Sequence, residues 1–135
     1  MNFPVVPQLK GNFMLNILLA DDHDVVRRGL KDMLNAYDGW QVCGEASNGR
    51  EAVSLARKLK PDVVILDMKL PDMSGLMVLK VAKKESPATK VIAVTGYIDQ
   101  AMFDQAEELG RDSFLQKPFD LERLKSEVDR LLIPH

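Results

Sequence analysis

With a single cysteine, Cys43, the chain can close no internal disulfide, and no second thiol offers a metal clip. Cys43 is therefore expected to be a small apolar residue buried in a strand. An excess of positive charge is missing too. Eighteen Lys and Arg stand against 20 Asp and Glu, a formal net charge of −2, whereas nucleic-acid binding draws heavily on phosphate contacts by cationic side chains. Direct contact with nucleic acid is thus disfavoured. Long hydrophobic runs are lacking as well. The apolar stretch Met14-Leu15-Asn16-Ile17-Leu18-Leu19-Ala20 is too short to span a bilayer and meets acidic residues at once, so no membrane association is expected and a cytoplasmic location is. What is present suits one globular domain: 135 residues, 46% hydrophobic and 28% charged.

The stretch that organises the rest is Asp62-Val63-Val64-Ile65-Leu66-Asp67-Met68-Lys69-Leu70-Pro71-Asp72-Met73-Ser74-Gly75. Its unbroken aliphatic run reads as a strand buried on both faces, ending on the carboxylate of Asp67. Before it, residues 1–13 carry Pro4, Pro7 and Gly11 without periodicity and are expected to be a flexible N-terminal extension. Met14 directly precedes the first strand, which fits an alternative start or an appended segment and sets the domain at 14–135. Leu15 to Ala20 is a strand that also ends in carboxylates, Asp21 and Asp22. Val26, Leu30, Met33, Leu34 and Tyr37 recur at helical spacing from about Asp24, with Asp38-Gly39 closing the helix. Trp40 to Ala46 is a second strand, and Ala52, Leu55, Ala56 and Leu59 mark a helix that stops before Pro61.

Beyond the central stretch, Leu76, Leu79 and Ala82 share a helix face that ends near Ser86-Pro87. Val91 to Thr95 is a buried strand, and Asp99 to Leu109 a weaker helix closed by Gly110. Ser113 to Gln116 is a short strand running into Lys117-Pro118. Leu121, Leu124, Val128, Leu131 and Leu132 form the inward stripe of a last helix with Asp120 as its N-cap. Five strands alternating with five helices predict an α/β fold with a parallel sheet covered on both sides. In such a sheet all strand carboxyl ends lie on one edge, which gathers Asp21, Asp22, Asp67, Thr95 and Lys117.

Three converging carboxylates repel one another unless a cation sits among them. Mg2+ suits the site, because it takes few carboxylates, keeps waters and is commonly completed by phosphate oxygens. Lys117 adds a point charge for a phosphoryl oxygen and Thr95 a hydroxyl donor. An Asp in this setting can form an acyl phosphate.

The motifs Leu18-Leu19-Ala20-Asp21-Asp22-His23, Leu66 through Gly75, Val94-Thr95-Gly96 and Gln116-Lys117-Pro118-Phe119 together resemble the response-regulator receiver domain of two-component signalling, in the flavour that precedes helix-turn-helix output domains. The likeness runs from about Leu15 to Leu132. It implies a flavodoxin-like (βα)5 sandwich with strand order 2-1-3-4-5. It also implies that Asp67 is the phosphoacceptor for a sensor histidine kinase or phosphotransfer protein. Asp22 would hold Mg2+ directly, Asp21 largely through water, and Asp67 and the backbone carbonyl of Lys69 would complete the ligands. Thr95 and Lys117 would meet the phosphoryl group, a cis peptide would join Lys117 to Pro118, and Phe114 would be the switch aromatic. Lys69 and Tyr97, two residues after Asp67 and Thr95, flank the route of a hydrolytic water and are expected to prolong phosphoryl lifetime. The output would be a surface near the fourth helix, fifth strand and fifth helix. A phosphorylation-dependent homodimer and an output domain or partner protein outside this chain are the further partners implied. The chain ends just beyond the last helix, as a single-domain regulator or a piece of a longer protein.

Two competing readings are weaker. A Mg2+-dependent phosphatase with an aspartyl nucleophile, like the haloacid dehalogenase family, needs a second Asp two residues after the first, and Lys69 stands there. A pseudo-receiver that binds partners without phosphorylation commonly lacks an acidic or Lys position, and all are present. His23 is expected as an exposed or helix-capping side chain, Lys80, Lys83 and Lys84 as a solvated helix face, and most of the seven methionines at core spacing.

Overall fold

A computed structural model describes residues 14–132; the expected extension over 1–13, like Ile133, Pro134 and His135, lies outside the described residues. In chain order the elements are β1 (Leu15–Ala20), α1 (Asp24–Asn35), β2 (Trp40–Ala46), α2 (Gly49–Leu59), β3 (Val63–Asp67), α3 (Gly75–Glu85), β4 (Lys90–Thr95), α4 (Gln100–Glu108), β5 (Ser113–Gln116) and α5 (Leu121–Leu132). The strands form one sheet in the order β2-β1-β3-β4-β5, every pairing parallel. This is the flavodoxin-like order the resemblance implies. Among the described residues no helix is long and apolar enough to cross a membrane.

Alternation along the strands builds two cores, one on each face. Leu15, Ile17, Leu19, Val63, Ile65, Ile92 and Val94 pack with Leu34 of α1 and with Leu124 and Val128 of α5. Leu18, Ala20, Val64, Leu66, Val91 and Ala93 pack on the other face with Ala52 and Ala56, with Val78, Leu79 and Ala82, and with Ala106. Because both faces are covered, the central strands carry no polar alternation, and that is why they read as continuous aliphatic runs.

Several local expectations are corrected. Helix α1 ends at Asn35, with Tyr37 in the following turn and Gly39 at φ 83°. Its inward face runs through Arg27, Leu30 and Leu34, so Val26 and Met33 face outward. Leu132 is exposed at the end of α5. Cys43 is only half-buried, since β2 is an edge strand and the β1–β2 register skips it, pairing Ile17 with Val42 and Leu18 with Gly44. Of the methionines described, Met68 is in the core whereas Met33 and Met77 are exposed. Lys83 is not a free surface charge: its ammonium meets Asp112 at 2.7 Å and the Thr89 carbonyl at 2.8 Å, tying α3 to the loops flanking β4 and β5.

Candidate functional site

Sheet register sets the site. Ala20 pairs with Leu66, so the residues that follow on each strand, Asp21 and Asp67, emerge side by side between β1 and β3. These strands flank the point where the chain's winding reverses, the usual ligand crevice of an open α/β sheet. Asp67 also pairs with Val94, and Thr95 with Gln116, which brings Thr95 and Lys117 to the same edge. The Lys117 ammonium then reaches across the sheet to Asp21 Oδ2 at 2.8 Å and Asp67 Oδ2 at 3.0 Å. The expected cis bond joins Lys117 to Pro118.

Asp67 is nearly inaccessible, whereas Asp22 lies at the mouth of the site. Burial alone would raise the pKa of Asp21, but the Lys117 ammonium and two bonds from His23 outweigh it and hold the carboxyl below its usual value. Burial likewise disfavours the charged form of Lys117, and its bonds to Asp21 and Asp67 reverse that, so its pKa is raised. The pair is therefore charged at neutral pH. One ligand atom from each of Asp21, Asp22, His23 and Asp67 lies within 4.8 Å of the others. Three carboxylates at that spacing form a hard-oxygen donor set that fits Mg2+.

The loop after β3 is tightly built. The Lys69 N–H donates to Asp67 Oδ1 at 2.9 Å, fixing the second carboxylate oxygen. A Cβ on Gly75 would sit 2.6 Å from Met68 Cα and 2.8 Å from the Asp67 carbonyl, so only glycine lets α3 start this close to Asp67. Asp72 accepts from the N–H groups of Gly49 at 2.6 Å and Arg50 at 2.9 Å, which clamps the loop onto the first turn of α2. Lys69 itself extends into solvent.

Thr95 is buried, and its hydroxyl donates to the Tyr97 carbonyl at 2.9 Å rather than to a site carboxylate. Tyr97 is 77% exposed. Phe114 is half-buried with its ring centroid 4.9 Å from that of Phe103 on α4, and the Arg111 guanidinium covers both rings. The structure thus gathers Asp21, Asp22, Asp67 and Lys117 directly, and places Thr95, Tyr97 and Phe114 along the β4–α4 and β5 flank.

Two participants escaped the sequence reading. Arg27, almost wholly buried on α1, donates to the Asp21 carbonyl at 2.7 Å and to Glu45 Oε1 at 3.1 Å, and pairs with Asp24 at 2.9 Å. Burial raises the pKa of Glu45, but bonds from Lys31 and Arg27 bring it below the ordinary value. The only sequence signal was the i, i+3, i+7 spacing of Arg27, Leu30 and Leu34, which an arginine disguises. His23 is exposed at the N-cap of α1 as expected, yet makes no side-chain cap bond; its Nδ1 lies 2.8 Å from Asp21 Oδ1.

The response regulator receiver domain family matches residues 17–129. The transcriptional regulatory protein YdfI of Bacillus subtilis is 39% identical over 116 residues, covering 86% of this chain and 54% of YdfI. The chemotaxis protein CheY of Thermotoga maritima is 36% identical over 115 residues, covering 85% of this chain and 95% of CheY. The chain thus spans about half the length of the first relative and nearly all of the second. Among solved structures, a two-component response regulator of the LuxR family from Aurantimonas sp. SI85-9A1 superposes with a TM-score of 0.81 at 28% identity, over 88% of this chain and 85% of the other.

Proposed function

The chain belongs to the response regulator receiver domain family, and from that membership we propose that Asp67 takes a phosphoryl group from a sensor histidine kinase or phosphotransfer protein, in a Mg2+-dependent step that switches a protein-interaction surface. The observation that carries this reading is the Lys117 ammonium bonded to both Asp21 and Asp67 at the carboxyl edge of the sheet. In the reaction a carboxylate oxygen of Asp67 attacks phosphorus, the P–N bond of the donor phosphohistidine breaks, and an acyl phosphate forms. Asp22, Asp67 and the Lys69 carbonyl would hold Mg2+ directly and Asp21 largely through water, and the ion would supply positive charge for the carboxylates and the incoming phosphoryl oxygens. The Lys69 N–H and the Lys117 ammonium hold the acceptor oxygens of Asp67 in place beforehand.

Once the phosphoryl group is attached, Lys117 pairs with it and the Thr95 hydroxyl leaves the Tyr97 carbonyl to donate to it. That exchange pulls on the loop into α4, against which Phe114 packs through Phe103. The signal emerges at the surface of α4, β5 and α5, by shifting a two-state equilibrium. Its readers are an output domain or partner protein outside this chain, or a second phosphorylated copy. The domain acts in the cytoplasm, chemically only on itself, and makes no direct nucleic-acid contact.

Intact mass after incubation with Mg2+ and a small acyl-phosphate donor tests this. Wild type gains one phosphoryl group and Asp67→Asn gains none. Failure of the wild type with both that donor and a phosphorylated histidine kinase would favour the pseudo-receiver; sustained hydrolysis of an added phosphomonoester would favour the phosphatase.

A further inference from the structure

On the sheet face opposite α1 and α5, helices α2 and α3 leave an open groove of about 580 Å3 between them. Its floor is apolar: Val53 of α2, Met73 just before α3, and Met77 and Val81 one turn apart on α3, with Met77 51% exposed. Its border is cationic. Arg50, Arg57 and Lys58 line it from α2, and Lys80 and Lys84, three residues after Met77 and Val81, lie exposed on the adjoining ridge of α3. No carboxylate is among the described residues that line it. The carboxylates nearest in the chain are already engaged: Asp72 by the N–H groups of Gly49 and Arg50, Glu51 by the N–H and hydroxyl of Ser47, and Glu85 by Arg57 at 3.8 Å. Arg57 is thus partly answered, whereas Arg50 and Lys58 have no ion-pair partner among the described residues, on a chain whose net charge is −2.

We propose that this groove docks an acidic amphipathic helix of a partner protein, its aliphatic stripe laid on Val53, Met73, Met77 and Val81 and its carboxylates turned to Arg50, Arg57 and Lys58. The surface is separate from the phosphoryl site and does not rest on its chemistry. Arg50, Val53, Arg57 and Lys58 fall at i, i+3, i+7 and i+8, one ridge of α2 about 12 Å long, which accommodates roughly two turns of a helix laid alongside. Methionine side chains adapt to the shape pressed on them, which suits a helix-in-groove contact. Charge selects the occupant. A second copy pairing symmetrically through this groove would set the same cations against themselves. A nucleic-acid backbone would meet the cations but give the aliphatic floor no apolar partner. An acidic helix with an apolar stripe satisfies both.

The test uses the whole chain and a synthetic helical peptide with Leu at i, i+3, i+4 and i+7 flanked by Glu, beside a second peptide with Lys in place of every Glu. Fluorescence anisotropy measures affinity, and methionine methyl NMR locates the contact. The Glu peptide is expected to bind and to displace the Met73 and Met77 methyl resonances but not that of Met33, which is exposed on α1. The Lys peptide binds about tenfold more weakly or less. Met77→Ala loses about tenfold in affinity for the Glu peptide, the worth of one buried methionine side chain. Lys58→Glu loses about as much, because like charges then face each other. Both positions are exposed, so the variants keep the fold, which circular dichroism checks. Asp67→Asn binds the Glu peptide as wild type does, so this inference and the phosphoacceptor reading fail separately. Equal binding of the two peptides, resonance changes that avoid Met73 and Met77, or no binding of the Glu peptide overturns the inference. A dimer in sedimentation that Met77→Ala dissolves would instead make the groove a self-contact, and displacement of the Glu peptide by a single-stranded oligonucleotide would make it a nucleic-acid site; either overturns the assignment to an acidic helix.

Discussion

Asp67 is constrained oxygen by oxygen: Oδ1 accepts from Lys69 N–H and Oδ2 from the Lys117 ammonium, so the carboxylate is set in one orientation, as the proposed attack on a phosphoryl donor requires. What is not constrained is the space above it. Lys69 and Tyr97 both project into solvent at the carboxyl edge of the sheet, and neither ring nor chain is pinned by core packing. On the proposed reading each would lie over an acyl phosphate and deny water a positioned approach. Lys69→Asn and Tyr97→Ala are therefore expected to shorten the phosphoryl lifetime, read as the decay of phosphorylated protein after donor removal. A longer lifetime in either variant would contradict the shielding role.

Among the elements, α1 does more than cover the sheet. Its Arg27 ties the Asp21 carbonyl to Glu45 on β2, so a buried side chain of the helix fixes the strand end that carries the acidic pair. Arg27→Met leaves the Asp21 carbonyl without that donor and Glu45 with Lys31 alone; chemical denaturation should show a loss of about 2 kcal/mol, as expected for bonds to charged groups in a buried setting. Unchanged stability would show that the network is dispensable. The same helix shows where sequence reading stops. The strands and the helix order were legible because buried parallel strands are aliphatic throughout and the helices repeat at helical spacing. Asp21, Asp22, Asp67 and Lys117 were legible because they terminate those strands. Arg27 and Glu45 were not, since their pairing spans 18 residues and leaves no local pattern. Nor was the clamp of Asp72 on α2, or the seat of Lys83 against Asp112. The outward turn of Val26 and Met33 depends on which ridge of α1 meets the sheet, and an apolar pattern broadened on both sides does not fix that.

Across the whole molecule, charge pairing sets the acid limit of the fold. Glu127 is held below its ordinary pKa by Arg130 and the Ser113 hydroxyl, and Glu51 by the N–H and hydroxyl of Ser47. Glu45 is lowered as well, by bonds that outweigh its burial. A carboxyl whose folded pKa is depressed contributes stability that is complete above its unfolded value of about 4.3 and is lost as pH falls through the folded one. The denaturant midpoint should therefore be level near neutrality and decline below about pH 4.5, with a shallower decline in Glu127→Gln; a midpoint independent of pH down to 3 would refute this. On the proposed reading, all of these elements serve to present one carboxylate to a phosphoryl donor. The most direct measurement is borohydride reduction after exposure to Mg2+ and an acyl-phosphate donor, followed by peptide mass spectrometry, because reduction converts an aspartyl phosphate to homoserine where it formed. The account predicts homoserine at position 67 alone, dependent on Mg2+ and the donor. Homoserine at Asp21 or Asp22, or none at all after a phosphorylated kinase has been supplied, would contradict it.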